Sequence, residues 1–413
     1  MNPSFLTAVE LAEAAAYHRP KYLYALVSEV TDLLLIALIL GLLVRPLYAG
    51  SMRLAGWLDH RLGALRQRPV FRGLLQTLDR LWKGPGWGTA LLFAVATYFT
   101  LVLANLPAAL YFEWHERRFQ LSTYGHAAFA WDWFKGLAAT TFLRGTLAFG
   151  MYGLARRLPH WWVPLGLCCG ALMLISSALD PYRARLFFDQ QPLEPGPLRT
   201  QLESVLSLAQ VEYSDIRVEK TSRVSRRAGA YFAGQGPTRT ILLNDVIVAQ
   251  FSPQELSAVV AHEAAHIGES RWLNRVAAAL ALPAFLGLLA WMFRVAARRR
   301  WWGVSDPADI RTLPLATISI YLLLSLSAPL TGYLSRERER AADARAIELT
   351  GDPDAFRSML VKLCRINKCD PQPPRWLVLR SATHPPLAER VQFAERWRPE
   401  AEKKNQVSTG GPP

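Results

Sequence analysis

Cysteine is scarce in this chain: four in 413 residues, two of them the adjacent Cys168 and Cys169, the others Cys364 and Cys369. That excludes a disulfide framework and a cysteine-built zinc finger. Charge is also scarce, at 19% of residues against 51% hydrophobic, with 14 Trp and a mean hydropathy of +0.10. A soluble enzyme of this length carries more charge, so a largely membrane-embedded protein is expected. Acidic residues are outnumbered, 33 against 47 basic, for a net charge of +14. The basic residues gather in loops between apolar stretches, which points to membrane orientation and not to nucleic acid as a partner. The first twenty residues lack a basic start and carry Glu10 and Glu13, so no cleaved signal peptide is expected. No internal repeat is visible.

What is present is a set of apolar segments near the roughly 20 residues that span a bilayer. They lie at 22–45, 87–112, 131–154, 160–180, 273–293 and 312–333, giving about six transmembrane helices. Some carry charge: Glu29 and Asp32 in the first, and Asp132, Lys135 and Arg144 in the third. These face protein or a water-filled interior, or, for Glu29 and Asp32, the interface at the start of a span beginning near Val30. The remainder divides accordingly. Residues 1–180 form an N-terminal membrane domain with four spans, and 273–333 two further spans. Residues 181–272 and 334–400 together form a small α+β domain, and 401–413 form a polar, disordered tail. Within the small domain, Leu198 to Leu208 reads as a helix, and Ile216 to Val218, Gly229 to Ala233 and Thr240 to Val248 read as strands. The fold class is therefore mainly α, polytopic and membrane-embedded, with one small mixed domain.

Chemistry concentrates after Ser252. Ser252 as cap, Pro253 at the first helical position and Glu255 completing a capping box start a helix that reads QELSAVVAHEAAHIG. His262 and His266 are four residues apart, so both imidazoles leave one helix face at the spacing that two zinc ligands require. Glu263 beside them suits proton transfer from a metal-bound water. The plain alternative is two surface histidines on an Ala-rich helix. A zinc hydrolase needs a third protein ligand, and SRERERAADARA offers Glu339, with Asp343 four residues on and able to orient a ligand histidine. Glu337 is a rival, about 200° around the helix from Glu339. Without HEAAH this segment would read as a charged helix with i,i+4 pairs. A third element, SATHPPLAERV, holds His384 rigidly before Pro385 and Pro386, placed to donate to an oxyanion or, more blandly, to cap the next helix.

These motifs in this order, HEAAH, two spans, SRERERAAD, then THPP and ERV, resemble the integral-membrane CAAX prenyl protease type 1 family of gluzincin zinc metalloendopeptidases. LPAALYFEWHERRFQLST (Leu106 to Thr123), Asp132 with Lys135, DPYRARLFFDQQPLEPGPLR (Asp180 to Arg199) and GAYFAG (Gly229 to Gly234) extend the likeness over Leu106 to Val391. The resemblance implies one Zn2+ per chain on His262, His266 and Glu339, with Glu263 as general base. It places Asp343 behind the ligands, His384 near the substrate oxyanion, and Gly229, Ala230, Tyr231 and Phe232 on a substrate-binding strand. It also implies a chamber within the helices. Two departures stand out: Gly229 replaces the family's usual Asn, and one early span of eukaryotic members has no counterpart. Only eight of the 47 basic residues are Lys, and this Arg preference looks like a GC-rich bacterial genome, placing the chain in a bacterial inner membrane.

Two functions of the same enzyme class follow: a zinc endopeptidase for membrane polypeptides, with quality control as its role, or a site-specific protease for C-terminal or lipidated, CAAX-like peptides. A pseudoprotease scaffold is the non-enzyme alternative. Partners are the lipid bilayer and peptide or membrane-protein substrates; oligomeric state is left open. Basic loops at 46–86 and 294–311 favour an extracytoplasmic active site, whereas the family resemblance favours the opposite face.

Overall fold

The computed structural model describes residues 5–63, 68–82, 86–172, 182, 188–268 and 272–397. The expected tail at 401–413 and the end of the predicted fourth span lie outside them. Four helical stretches are long and apolar enough to cross a membrane: Ala8–Arg61, Trp87–Arg118, Ala281–Arg298 and Ile310–Thr350. The predicted span at 131–154 is one continuous helix, His126–Ala155, and Trp162–Leu172 is a shorter apolar helix. The chain is thus mainly helical and membrane-embedded, with a small sheet beside the bundle.

The first span differs from the expectation of a helix ending at 45. A capping box of Thr7 and Glu10 starts the helix at Ala8, and it continues through a π turn at Ile39–Leu43 to Arg61. The π turn lies just before Pro46, whose ring meets the carbonyl four residues back and whose nitrogen cannot donate. The helix absorbs that mismatch by widening one turn and not by ending. A second helix in the same region, Pro69–Trp82, is anchored by Trp82, which stacks on Phe149 at 4.7 Å beneath Arg156. The span His126–Ala155 packs closely on Trp87–Ala104 through Gly145. A Cβ there would sit 2.9 Å from the Val95 side chain and 3.4 Å from its backbone nitrogen.

The sheet has four strands: β1 (Gln190–Pro192), β2 (Asp215–Glu219), β3 (Ala230–Ala233) and β4 (Thr240–Asn244), in the order β1-β2-β4-β3. β2 and β4 are parallel and the other pairs antiparallel. β4 is central, and Ile241, Leu242 and Leu243 are all fully buried, so the run lacks the alternation of a half-exposed strand. It ends sooner than the predicted Thr240 to Val248. Asn244 Oδ1 accepts from the Ile247 backbone and caps a short helix, Asp245–Gln250. β3 is an edge strand, and the helix Pro253–Gly268 packs against it.

That helix starts with the expected capping box: the Ser252 backbone donates to Glu255 Oε2 at 2.8 Å and the Glu255 backbone to Ser252 Oγ at 3.2 Å. Buried Glu255 also accepts from Lys362 at 2.6 Å and Ser358 at 2.7 Å, which locks the helix start to the helix Pro353–Asn367. After the HEAAH helix the chain enters Trp272–Arg298 and returns as Leu313–Thr350. This single 38-residue helix brings the SRERERAAD segment back beside HEAAH.

Candidate metal centre

His262 and His266 project from one face of the HEAAH helix, and Glu339 from the returning helix meets them. Glu339 Oε2 lies 3.3 Å from His262 Nε2, Glu339 Oε1 lies 3.3 Å from His266 Nε2, and the two Nε2 atoms are 3.3 Å apart. Bonds of about 2.0 Å to a tetrahedral ion place neighbouring ligand atoms roughly 3.3 Å apart, so this donor triangle has the size a zinc-type ion needs. Glu339 is also buried, and the nitrogens of His262, His266 and His384 close on its two oxygens at 2.9 to 3.3 Å. A buried carboxylate converging with two imidazole nitrogens is a donor set that suits a divalent cation. These three residues form the one possible metal-holding group of His, Cys, Asp or Glu among the described residues.

Glu337, the rival, is half exposed and pairs with Arg340 on the outer side of the helix, so it does not enter the triangle. Asp343, four residues beyond Glu339, is buried and brings Oδ1 to 3.0 Å from His262 Nδ1. His384 is largely exposed, with Nδ1 2.9 Å from Glu339 Oε2. The structure therefore gathers His262, His266, Glu339, Asp343 and His384 into one site, although they span more than 120 positions of sequence.

The electrostatics are those of a carboxylate-rich pocket. Burial opposes charge on His262, but Asp343 and Glu339 outweigh it and push the imidazole up to about 9. Burial likewise opposes ionisation of Glu339, yet His262, His266 and His384 hold its carboxyl far below the usual range. Asp343 is held low against burial by His262 and Arg390. Glu263 behaves in the opposite way: its burial pushes the carboxyl up, offset only in part by His262 and His266. A raised carboxyl is the better proton acceptor near neutral pH.

Two arginines at the site were not singled out from sequence. Arg390 donates to Asp343 through Nε at 2.8 Å and Nη2 at 2.6 Å, a two-point grip that fixes the carboxylate behind His262. Arg336 is buried and donates from Nη1 to the backbone oxygens of Val378 at 2.8 Å and Ala382 at 2.6 Å, pinning the segment that leads into His384. Gly332 makes room for this: a Cβ there would sit 3.1 Å from the Ala382 oxygen and 3.2 Å from Arg336. The same segment is tied to the first span, where Glu29 pairs with Arg380, which also donates to the Ser325 carbonyl at 2.7 Å. Glu29 is thus turned toward protein, as its place in an apolar segment demands.

The predicted substrate strand falls on the sheet edge. Ala230, Tyr231 and Phe232 lie in β3, paired with Leu243, Leu242 and Ile241 of β4, and Gly229 precedes them with its carbonyl accepting from the Asn244 backbone. The other edge of β3 pairs with no strand among the described residues. The nearest atom to a Cβ at Gly229 is Asn244 Nδ2 at 3.9 Å, so a Cβ is accommodated there without a clash.

Comparison with known proteins identifies the setting of this site. The profile described as Peptidase family M48 matches residues 192–398, half of the chain and all of the site. The chain belongs to peptidase family M48. Over 94% of this M48 chain and 89% of the other, the fold matches a crystal structure of S. mikatae Ste24p, with a TM-score of 0.74 at 19% identity. The resemblance to the integral-membrane CAAX prenyl protease type 1 family is borne out by the family match and this fold. The M48 chain is also 22% identical over 247 residues to a Bacillus subtilis protein named uncharacterized metalloprotease YhfN, covering 59% of this chain and 58% of that one. It is 32% identical to the protease HtpX homologs of Acaryochloris marina, over 34% of this chain and 47% of that one, and of Acidiphilium cryptum, over 39% and 61%. The chain thus spans about half to three-fifths of the length of these relatives.

Proposed function

We propose that this M48 chain is a zinc-dependent endopeptidase acting on membrane or membrane-proximal polypeptides. The observation that carries the reading is the convergence of His262, His266 and Glu339: the two Nε2 atoms are 3.3 Å apart, and each lies 3.3 Å from one of the two Glu339 oxygens. These three residues would hold one zinc per chain, and zinc when bound polarises a peptide carbonyl and acidifies a water beside it. Glu263 takes the proton of that water and delivers it to the leaving amine, a role its raised carboxyl suits. His384 donates to the carbonyl oxygen as negative charge gathers there. Asp343 favours the Nδ1–H form of His262, leaving Nε2 free to bind metal, and Arg390 keeps that carboxylate in place. An extended peptide pairing with the open edge of β3, along Gly229 to Phe232, would be drawn past Glu263 and His384.

Quality control in a bacterial inner membrane is the role this reading favours. Site-specific processing of C-terminal or lipidated, CAAX-like peptides is supported by the fold shared with Ste24p along nearly the whole chain. The basic loops opposite the catalytic helix favour an extracytoplasmic site, as does the disulfide between Cys364 and Cys369. A pseudoprotease scaffold has no need of all these groups. Purified protein assayed on quenched peptides, with and without a carboxyl terminus and prenyl group, distinguishes the readings. Cleavage of internal bonds that chelation abolishes and zinc restores supports the endopeptidase; activity confined to prenylated C-termini supports the processing protease; none supports a scaffold.

A further inference from the structure

The loop joining the last two spans is far from the metal centre. The helix Trp272–Arg298 carries the chain about 40 Å from the HEAAH helix, and Leu313 lies about 39 Å along the returning helix from Glu339. At this opposite end an open groove of about 420 Å³ is lined by Leu40, Trp301, Trp302 and Leu315. Leu40 belongs to the π turn of the first span and Leu315 to the first turn of the last, so the cleft sits where the bundle meets its interface. A π turn is a frequent companion of binding sites.

The two tryptophans are held there by a strained loop. Arg300 has φ +52° and Trp302 φ +54°, left-handed conformations that bulky residues rarely adopt. The turn is fixed by Arg311, which donates to the carbonyls of Trp302 at 3.2 Å and Gly303 at 3.3 Å and is itself clamped by Asp309 at 2.6 Å. Directly before it, Arg298, Arg299 and Arg300 are all exposed, and none has an ion-pair partner among the described residues. The loop therefore presents an apolar cleft, an interfacial Trp pair and a row of uncompensated positive charge in consecutive positions.

We propose that this cleft binds an anionic phospholipid, one acyl chain lying against Leu40 and Leu315, the glycerol region at Trp301 and Trp302, and the phosphate and headgroup at Arg298 to Arg300. Charge complementarity selects the occupant: a neutral lipid offers the three arginines no counter-charge, and the phosphate of a zwitterionic lipid is already offset by its own ammonium, whereas an anionic lipid brings net negative charge. This inference is independent of the proteolytic reading.

The test uses the full-length protein in neutral detergent, with lipid binding followed by native mass spectrometry. Dioleoylphosphatidylglycerol is expected to bind roughly tenfold or more tightly than dioleoylphosphatidylcholine. R298Q/R299Q/R300Q, changed only at exposed positions, should lose that preference, and glycerophosphoglycerol without acyl chains should not compete. Equal affinity for the two lipids, a preference unchanged in the triple variant, or full competition by the chain-free headgroup would each overturn the proposal.

Discussion

The carboxylate of Asp343 stands 3.0 Å from Nδ1 of His262 and, on its far side, takes both Nε and Nη2 of Arg390. His262 is therefore oriented from behind by a buried ion pair, and its other nitrogen is turned into the triangle with His266 and Glu339. Replacing Asp343 by Ala removes that support and leaves Arg390 buried without its partner. Metal affinity is expected to fall about 10- to 100-fold, read as zinc retained against a competing chelator. Unchanged affinity would mean that the ring is held by packing alone.

Glu339 and Glu337 are two residues apart on one helix, yet only Glu339 enters the site. Glu339→Ala should abolish stoichiometric zinc at low free metal, whereas Glu337→Ala should leave it intact. Elemental analysis of both purified variants checks this, and full zinc in Glu339→Ala would dismiss the proposed ligand set.

Arg336 positions His384 through the backbone of Val378 and Ala382 and touches no ligand of the triangle. Arg336→Met should retain zinc while kcat falls by roughly tenfold or more, with a smaller change in KM. Arg336→Lys, which keeps one donor, should recover part of the loss. A variant that merely unfolds would lose zinc as well, and the metal content separates the two.

Much of this site is legible in sequence because its geometry is local. The four-residue spacing of His262 and His266 fixes a shared helix face, the Ser252 and Glu255 capping box fixes where that helix begins, and angular position separates Glu339 from Glu337. Arg336 and Arg390 are not legible in the same way. Their partners are backbone oxygens and a carboxylate 42 to 47 residues distant, and within SRERER or AERV each reads as one more surface charge. The helix extending to Arg61 was hidden by Pro46, which ordinarily argues for a stop, and the buried run of β4 hid its end at Asn244.

Cysteine scarcity also concealed a local feature. Four cysteines argue against a framework of bridges, but Cys364 and Cys369 pair across the end of the helix Pro353–Asn367, leaving Cys168 and Cys169 as thiols. The enclosed turn holds the first helix: Lys368 accepts from His18 through its carbonyl at 2.9 Å and pairs with Glu13, and Asp370 accepts from Tyr22 at 2.7 Å. Protein denatured under non-reducing conditions with alkylation should therefore show two reactive thiols per chain, and four after reduction. Four at the outset, in protein taken directly from its native membrane, would argue for a catalytic face in a reducing compartment.

The central claim is that Glu263 moves the proton while His262, His266 and Glu339 hold the metal. Glu263→Gln is nearly isosteric and cannot accept that proton, so the decisive measurement is peptide turnover by this variant beside its zinc content. One zinc per chain with turnover reduced about 100-fold or more is the expected result. Full zinc with turnover close to that of the unaltered protein would contradict the account.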